Sequence, residues 1–78
     1  MTAQLLGIQH INFTNNSGEV INGMNLFIAF PEENVEGLRV ERLYIKDGIN
    51  IPKDIKFNDK IELSFNYKGK IEAIHKAN

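Results

Sequence analysis

Basic and aromatic side chains alternate along two short stretches of this chain. The first stretch holds Arg42, Tyr44 and Lys46, and the second holds Tyr67, Lys68 and Lys70. A single strand of nucleic acid is bound by cations that follow its phosphates and by aromatic rings that stack on its bases, at about 1–3 kcal/mol per stacked base. The two stretches are therefore candidates for a polyanion-binding face.

The charges of the chain are unevenly distributed. Residues 1–38 carry four acids and neither Lys nor Arg, while all nine basic residues lie in residues 39–78 beside six acids. The second half therefore has a charge of +3, although the whole chain has a net charge of −1. Such an asymmetry is consistent with a basic face for a polyanion, and equally with ordinary solvated strand faces.

Groups that could support catalysis or bind a metal are few and scattered. The chain has no cysteine, and its two histidines, His10 and His75, have no metal-ligand spacing. Ser17 and Ser64, the serines that a histidine would have to activate, lie in turn and strand-face positions without a surrounding motif. The sequence predicts a protein that is not an enzyme and that has no metal and no cofactor.

The chain is short and contains no long apolar segment. Its 78 residues predict a single domain spanning 1–78, and no run approaches the roughly 20 apolar residues of a membrane span. Residues 1–30 contain no Lys or Arg, so they do not resemble a signal peptide. We expect a soluble cytoplasmic protein without a membrane partner.

The clearest structural pattern runs from Lys60 to His75. Ile61, Leu63 and Phe65 alternate with polar residues, as in a strand with one wet face. Asn66–Gly69 then predicts a three-residue hairpin loop, because Asn suits the start of a type I turn and Gly can adopt the left-handed conformation that closes it. Lys70–His75 is the predicted returning strand.

The N-terminal third predicts a second hairpin. Leu5–Phe13 is an apolar segment whose alternation changes parity near Gly7, which indicates a bulge or bend. Asn15–Gly18 is a strong turn signal. The following strand, about Glu19–Phe30, is apolar on both faces late in its length, so we expect a central strand that curves.

The middle of the chain alternates loops and strands. Pro31–Gly37 predicts a single helical turn or a compact loop. Leu38–Lys46 alternates again, Asp47–Gly48 is a two-residue turn signature, and Ile49–Ile51 is the predicted short return. Lys53–Asp59 is then a loop that covers one end of a barrel.

These elements predict an all-β fold of five to six antiparallel strands. A small open sheet would leave free edges and one bare face, so closure into a small barrel is expected. An OB-like barrel fits the order of a long curved strand pair, a loop and a final hairpin, and an SH3-like barrel is the alternative.

Several segments together resemble a known family. Phe57–Leu63 and Asn66–Ile71 resemble the C-terminal hairpin of small single-stranded-DNA-binding proteins of the filamentous-phage gene V type, in particular relatives from phages and mobile elements of Gram-positive bacteria. Gly23–Phe30, then Val35–Gly37 and Glu41–Ile45, follow in the order which that family shows. The similarity spans most of the chain as a pattern of small matches.

The resemblance implies an OB-type barrel, often a homodimer, that coats single-stranded DNA with little sequence preference. It places Phe27 as an aromatic of the binding face, Tyr44 and Lys46 as contacts from the third strand, and Lys68 and Lys70 as cations of the hairpin.

We therefore expect a non-enzymatic protein whose partner is single-stranded nucleic acid. The candidate binding residues are Phe27, Arg39, Arg42, Tyr44, Lys46, Tyr67, Lys68 and Lys70. The alternative is a protein-interaction or accessory module that does not bind nucleic acid and instead uses a strand edge or the Phe27–Ile21 face. An edge strand with few guarding charges, such as Leu5–Phe13, is the expected location of a dimer surface.

Overall fold

A single antiparallel sheet makes up the protein. The computed structural model describes residues 1–77, which contain five strands and no helix. The strands are β1 (Thr2–Thr14), β2 (Val20–Phe30), β3 (Arg39–Lys46), β4 (Lys60–Phe65) and β5 (Ile71–Lys76). Their order in the sheet is β3-β2-β1-β4-β5, and all four pairings are antiparallel. The predicted all-β class is confirmed, with five strands.

The sheet curls without closing. Its edge strands, β3 and β5, form no ladder with each other within residues 1–77. Ile45 of β3 nevertheless shares one buried cluster with Ile71 and Ile74 of β5. Because the two edges contribute to the same core, the sheet has the curvature of a small, partly open barrel, and the predicted barrel architecture is compatible with it.

The core lies on the concave face of the curled sheet. Its buried members come from all five strands: Ala3, Leu5, Leu26, Ile28, Ile45, Ile61, Leu63, Ile71 and Ile74. Ile61 and Leu63 are buried as their alternation predicts, whereas Phe65 is exposed. Phe65 is the last residue of β4, and the β4–β5 register shifts beside it, where Glu72 of β5 is an extra residue.

A bulge in β1 explains the change of parity in its sequence. The β1–β2 register shifts between Leu5 and Gly7, so Leu6 is the extra residue. The insertion allows both Leu5 and Ile8 to pack into the core although they are three positions apart. The predicted bulge is confirmed. β1 begins earlier than predicted, at Thr2, because Thr2–Gln4 pairs with β4.

The predicted return strand Ile49–Ile51 is wrong. These residues form no ladder; Ile49 and Ile51, with Ile55, instead pack against the core from the connection between β3 and β4. Burial of these isoleucines at the open side of the sheet is favoured over pairing with β3. Of the two alternatives for Pro31–Gly37, the loop is observed, with a turn in which the Val35 N–H donates to the Glu32 carbonyl at 3.2 Å.

The Glu62 carboxylate of β4 accepts two hydrogen bonds from the start of the chain. The amino group of Met1 donates to Glu62 Oε1 at 2.8 Å and the Thr2 hydroxyl donates to Oε2, and these bonds lower the pKa of Glu62. A lowered pKa in the folded state contributes stability above the ordinary pKa of Glu, about 4.3, and this contribution is lost as the pH falls through the folded-state value.

We therefore expect the free energy of unfolding to decrease more steeply in the wild type than in Glu62→Gln when the pH is lowered below about 4. Urea unfolding at pH 3 to 7 measures this difference. Parallel pH profiles would contradict this.

Candidate functional site

A groove lies between the edge strand β3 and the β4–β5 hairpin. Its volume is about 500 Å³, and it is lined by Tyr44, Lys46, Ile49, Asn66, Lys68, Lys70, Ile71 and Glu72. Four of the eight predicted binding residues are in this lining, two from β3 and two from the hairpin more than 20 positions later. The curl of the sheet brings the two stretches together.

The hairpin loop fixes the positions of Lys68 and Lys70. The side-chain oxygen of Asn66 accepts hydrogen bonds from the main-chain N–H groups of both lysines, at 2.9 and 3.1 Å. The Gly69 N–H donates to the Asn66 carbonyl at 3.0 Å, and Gly69 has φ 78°, as the predicted loop requires. The main chain that carries both lysines is therefore held by a single asparagine.

The β1–β2 hairpin contains the same loop without the cations. The side-chain oxygen of Asn15 accepts from the N–H groups of Ser17 and Glu19 at 2.9 and 3.0 Å, and Gly18 has φ 84°. The chain thus supplies a built-in control for the role of the β4–β5 loop.

We expect Asn66→Ala and Asn15→Ala to lower the free energy of unfolding by similar amounts, about 1 kcal/mol, because each removes two exposed hydrogen bonds. If the groove binds a single-stranded oligothymidine, only Asn66→Ala should weaken that binding, about three- to tenfold, since only that loop positions lysines at the groove. Urea unfolding and fluorescence anisotropy measure the two effects. Equal losses of affinity in both variants would contradict a role for this loop.

The absence of a side chain at Gly23, in the neighbouring strand, leaves room for the Tyr44 ring. The Tyr44 ring lies over Gly23 of β2: a Cβ at Gly23 would be 2.8 Å from Tyr44 Cε1 and 2.7 Å from the Ile45 carbonyl oxygen. The Tyr44 hydroxyl donates to the Asn22 carbonyl at 3.4 Å, a long bond. The side chain is 50% exposed, so a ring face is available to a ligand.

The groove combines an apolar floor with cationic walls. Ile71 is buried and Ile49 is half-buried, whereas the three lysines are exposed. Glu72 is the acid of the lining. Sequence reasoning did not assign Asn66, Ile49, Ile71 or Glu72 to the site. The hairpin pattern identifies Asn66 as a turn residue. The direction that Ile49 faces depends on the path of the connection between β3 and β4 in the folded protein, which the sequence pattern does not show.

Two further candidates lie on the convex face of the sheet, next to Tyr44. Phe27 is opposite Arg42 in the β2–β3 ladder, in the row adjacent to the Asn25–Tyr44 pair. Phe27 is half-buried and packs over Gly7, where an added Cβ would be 3.7 Å from the ring. Arg42 is exposed. Neither residue lines the groove, but an extended ligand that leaves the groove past Tyr44 would contact both.

Arg39 is separated from the other candidates. It lies at the opposite end of β3 from Lys46, about 23 Å away at 3.3 Å per residue. Its guanidinium donates to both carboxylate oxygens of Glu32 at 2.6 and 2.8 Å and contacts Glu41, and these bonds raise the pKa of Arg39. Its charge is thereby engaged by two acids from the chain itself.

Tyr67 is at the tip of the β4–β5 hairpin. It is 93% exposed, and the Lys68 ammonium lies 5.7 Å from its ring centroid. It borders the groove without lining it. The ring and the ammonium together form a cation–π pair at the surface.

A second cavity lies near the start of β1. It has a volume of about 350 Å³ and is lined mainly by small and apolar residues, including Ala29, Pro31 and Leu38. In the part of the chain that the structure describes, no group of three or more His, Asp or Glu side chains could hold a metal ion, and no helix could cross a membrane.

No protein-family model matches the chain, and neither a curated protein nor a solved structure matches it significantly.

Proposed function

We propose that the protein binds single-stranded nucleic acid, without catalysis, in the groove between β3 and the β4–β5 hairpin. One observation carries the proposal: Tyr44, Lys46, Lys68 and Lys70 line one groove. The sequence contains these residues as two separate basic and aromatic stretches. Cations beside an exposed ring are the combination that single strands require.

The dimensions of the groove favour a single strand of nucleic acid whose bases are unstacked. Its volume of about 500 Å³ suits an unpaired base with its sugar, and the floor around Ile71 is apolar. In this arrangement a base stacks on Tyr44 while Lys46, Lys68 and Lys70 contact the flanking phosphates. Such contacts carry little sequence information, so binding is expected to tolerate different base sequences.

The fold and the resemblance support the same proposal. In OB-type barrels, the face of strands two and three and the loop between strands four and five bind oligonucleotides. The groove lies between corresponding elements here, β3 and the β4–β5 loop. The resemblance to phage and mobile-element proteins that coat DNA makes single-stranded DNA the proposed ligand.

A fluorescence-anisotropy titration of a labelled oligothymidine of about 20 bases tests the proposal. We expect Tyr44→Ala to weaken binding about 5- to 150-fold, which corresponds to the loss of one stacked base at about 1–3 kcal/mol. Tyr44→Phe should retain most of the affinity, because stacking needs the ring and the hydroxyl makes only a long hydrogen bond.

Phe57→Ala is the matched control. Phe57 is an aromatic that is 59% exposed and lies outside the groove, so its removal should leave the affinity unchanged. No binding by the wild type at 50 mM salt, or equal losses in Tyr44→Ala and Phe57→Ala, would overturn the proposal.

A second candidate function is protein interaction without nucleic-acid binding. Leu38 and Val40 are at least half exposed, and Leu38 borders the apolar cavity near Pro31. Exposed apolar side chains grouped around a cavity are typical of protein-binding surfaces. This candidate function predicts that the wild type does not bind oligonucleotides at any salt concentration.

A further inference from the structure

The second half of β1 is an unpaired strand edge. From Ile8 to Thr14, β1 pairs with β2 on one side. On the other side β4 pairs only with Thr2–Gln4, and the last hydrogen bonds there are those of Leu5 with Asn58 and Asp59. Within residues 1–77, seven residues of this strand thus offer a main-chain edge to solvent.

The hydrogen-bond pattern shows which groups are available. The Asn15 N–H donates to the Glu19 carbonyl at 2.9 Å, so the adjoining odd-numbered residues of β1 direct their main-chain groups toward β2. Alternation in an antiparallel ladder then directs the N–H and carbonyl groups of the even-numbered residues outward. These residues are Ile8, His10, Asn12 and Thr14.

This edge lacks the features that protect the other edges of the sheet. Charged side chains or proline on an edge strand discourage pairing with another chain. β3 carries two arginines, a glutamate and a lysine, and β5 carries a glutamate and a lysine. Residues 5–14 contain no Asp, Glu, Lys, Arg or Pro. Phe13, beside the edge, is a large exposed apolar residue.

The accessible surface of the chain is larger than that of a typical monomer of its mass. The accessible surface is 5818 Å² for a mass of 8.9 kDa. A monomeric protein of this mass has about 4,800 Å², so the chain exposes about 1,000 Å² more. A standard interface buries about 800 Å² per partner.

We propose that the free edge of β1 pairs with the same edge of a second copy of this chain, antiparallel about a two-fold axis. One register pairs all four outward-facing residues: Ile8 with Thr14, and His10 with Asn12, of the other copy. This register places Ile11 opposite itself at the axis, with Phe13 beside it. The interface is isologous, as two-fold symmetry requires, and it does not depend on the proposed nucleic-acid binding.

Light scattering coupled to size exclusion, from about 5 to 500 µM protein, tests the assembly, because a dimer forms by mass action. We expect a mass of twice 8.9 kDa at the upper concentrations. Amide hydrogen exchange of the wild type is the second readout. His10, Asn12 and Thr14 should become protected as the concentration rises. A monomer mass at every concentration, with these amides unprotected, would overturn the proposal. The free edge of β1 would then be a candidate for pairing with a strand of another protein.

Substitutions at Asn12 locate the interface. Asn12→Pro removes an outward-facing N–H and should leave the β1–β2 ladder intact, and Asn12→Lys adds a guarding charge. Each should raise the dimer dissociation constant at least about tenfold. Val40→Pro and Val40→Lys make the same changes on the guarded β3 edge and should leave it unchanged. A dimer that persists in both Asn12 variants, with circular dichroism unaltered, would overturn the proposal.

Discussion

Replacement of Lys46, Lys68 and Lys70 together by alanine is expected to weaken oligothymidine binding by two to three orders of magnitude at 50 mM salt. Each phosphate contact on a single strand releases about 0.7 of a counterion, which is worth roughly eightfold in affinity at this salt concentration. With Arg42 as a fourth contact, the slope of log affinity against log salt should be about −3 in the wild type and about −0.7 in the triple variant. Anisotropy titrations at 50, 100 and 200 mM salt measure both quantities.

A triple variant of equal charge provides the control. Lys53, Lys56 and Lys60 are exposed and lie outside the groove, so their replacement by alanine changes the net charge equally without removing a predicted contact. The salt slope should then remain near −3. If both triple variants lost affinity to the same extent, the attraction would depend on overall charge, and the groove would not be the site.

Ile28→Ala is expected to lower the free energy of unfolding by about 2–5 kcal/mol, the range for truncating a large apolar side chain in a core. Ile28 is fully buried near the end of β2 and belongs to the cluster that both edge strands share. A domain of this size has only about 5 kcal/mol or somewhat more in total. The variant should therefore be partly unfolded at 25 °C. Circular dichroism with urea titration measures the change.

Val40→Ala serves as the comparison for Ile28→Ala. Val40 lies in the adjacent strand and is 60% exposed on the convex face, so its truncation should cost less than about 0.5 kcal/mol. A loss below 1 kcal/mol in Ile28→Ala would contradict the assignment of the concave face as the core.

Most of the fold could be predicted because its signals are local. Strand alternation depends on a period of two residues, and the Asn66–Gly69 loop depends on one side-chain acceptor and one left-handed glycine. The bulge near Gly7 was visible as a change of parity. The return strand at Ile49–Ile51 was not predictable in the same way, because apolar residues after a turn can either pair with the preceding strand or cover the core.

The candidate site was predictable in part. Alternation placed Tyr44 and Lys46 on one side of β3, and the loop pattern placed Lys68 and Lys70 at a hairpin. That these two pairs line one groove depends on the curl of the whole sheet. The sequence shows the charge of Arg39 but not which acids pair with it. Its pairing with Glu32 depends on the course of the loop between β2 and β3.

The sequence by itself determined the strands, the two asparagine-led hairpin loops and the confinement of cations to the second half, because these follow from side-chain type and short-range spacing. The tertiary structure decided which cations share a groove, which acids neutralise Arg39, and which strand edge stays open. These outcomes depend on contacts between residues distant in the chain. They are set by how one curled sheet buries its apolar face, and no local pattern encodes that geometry.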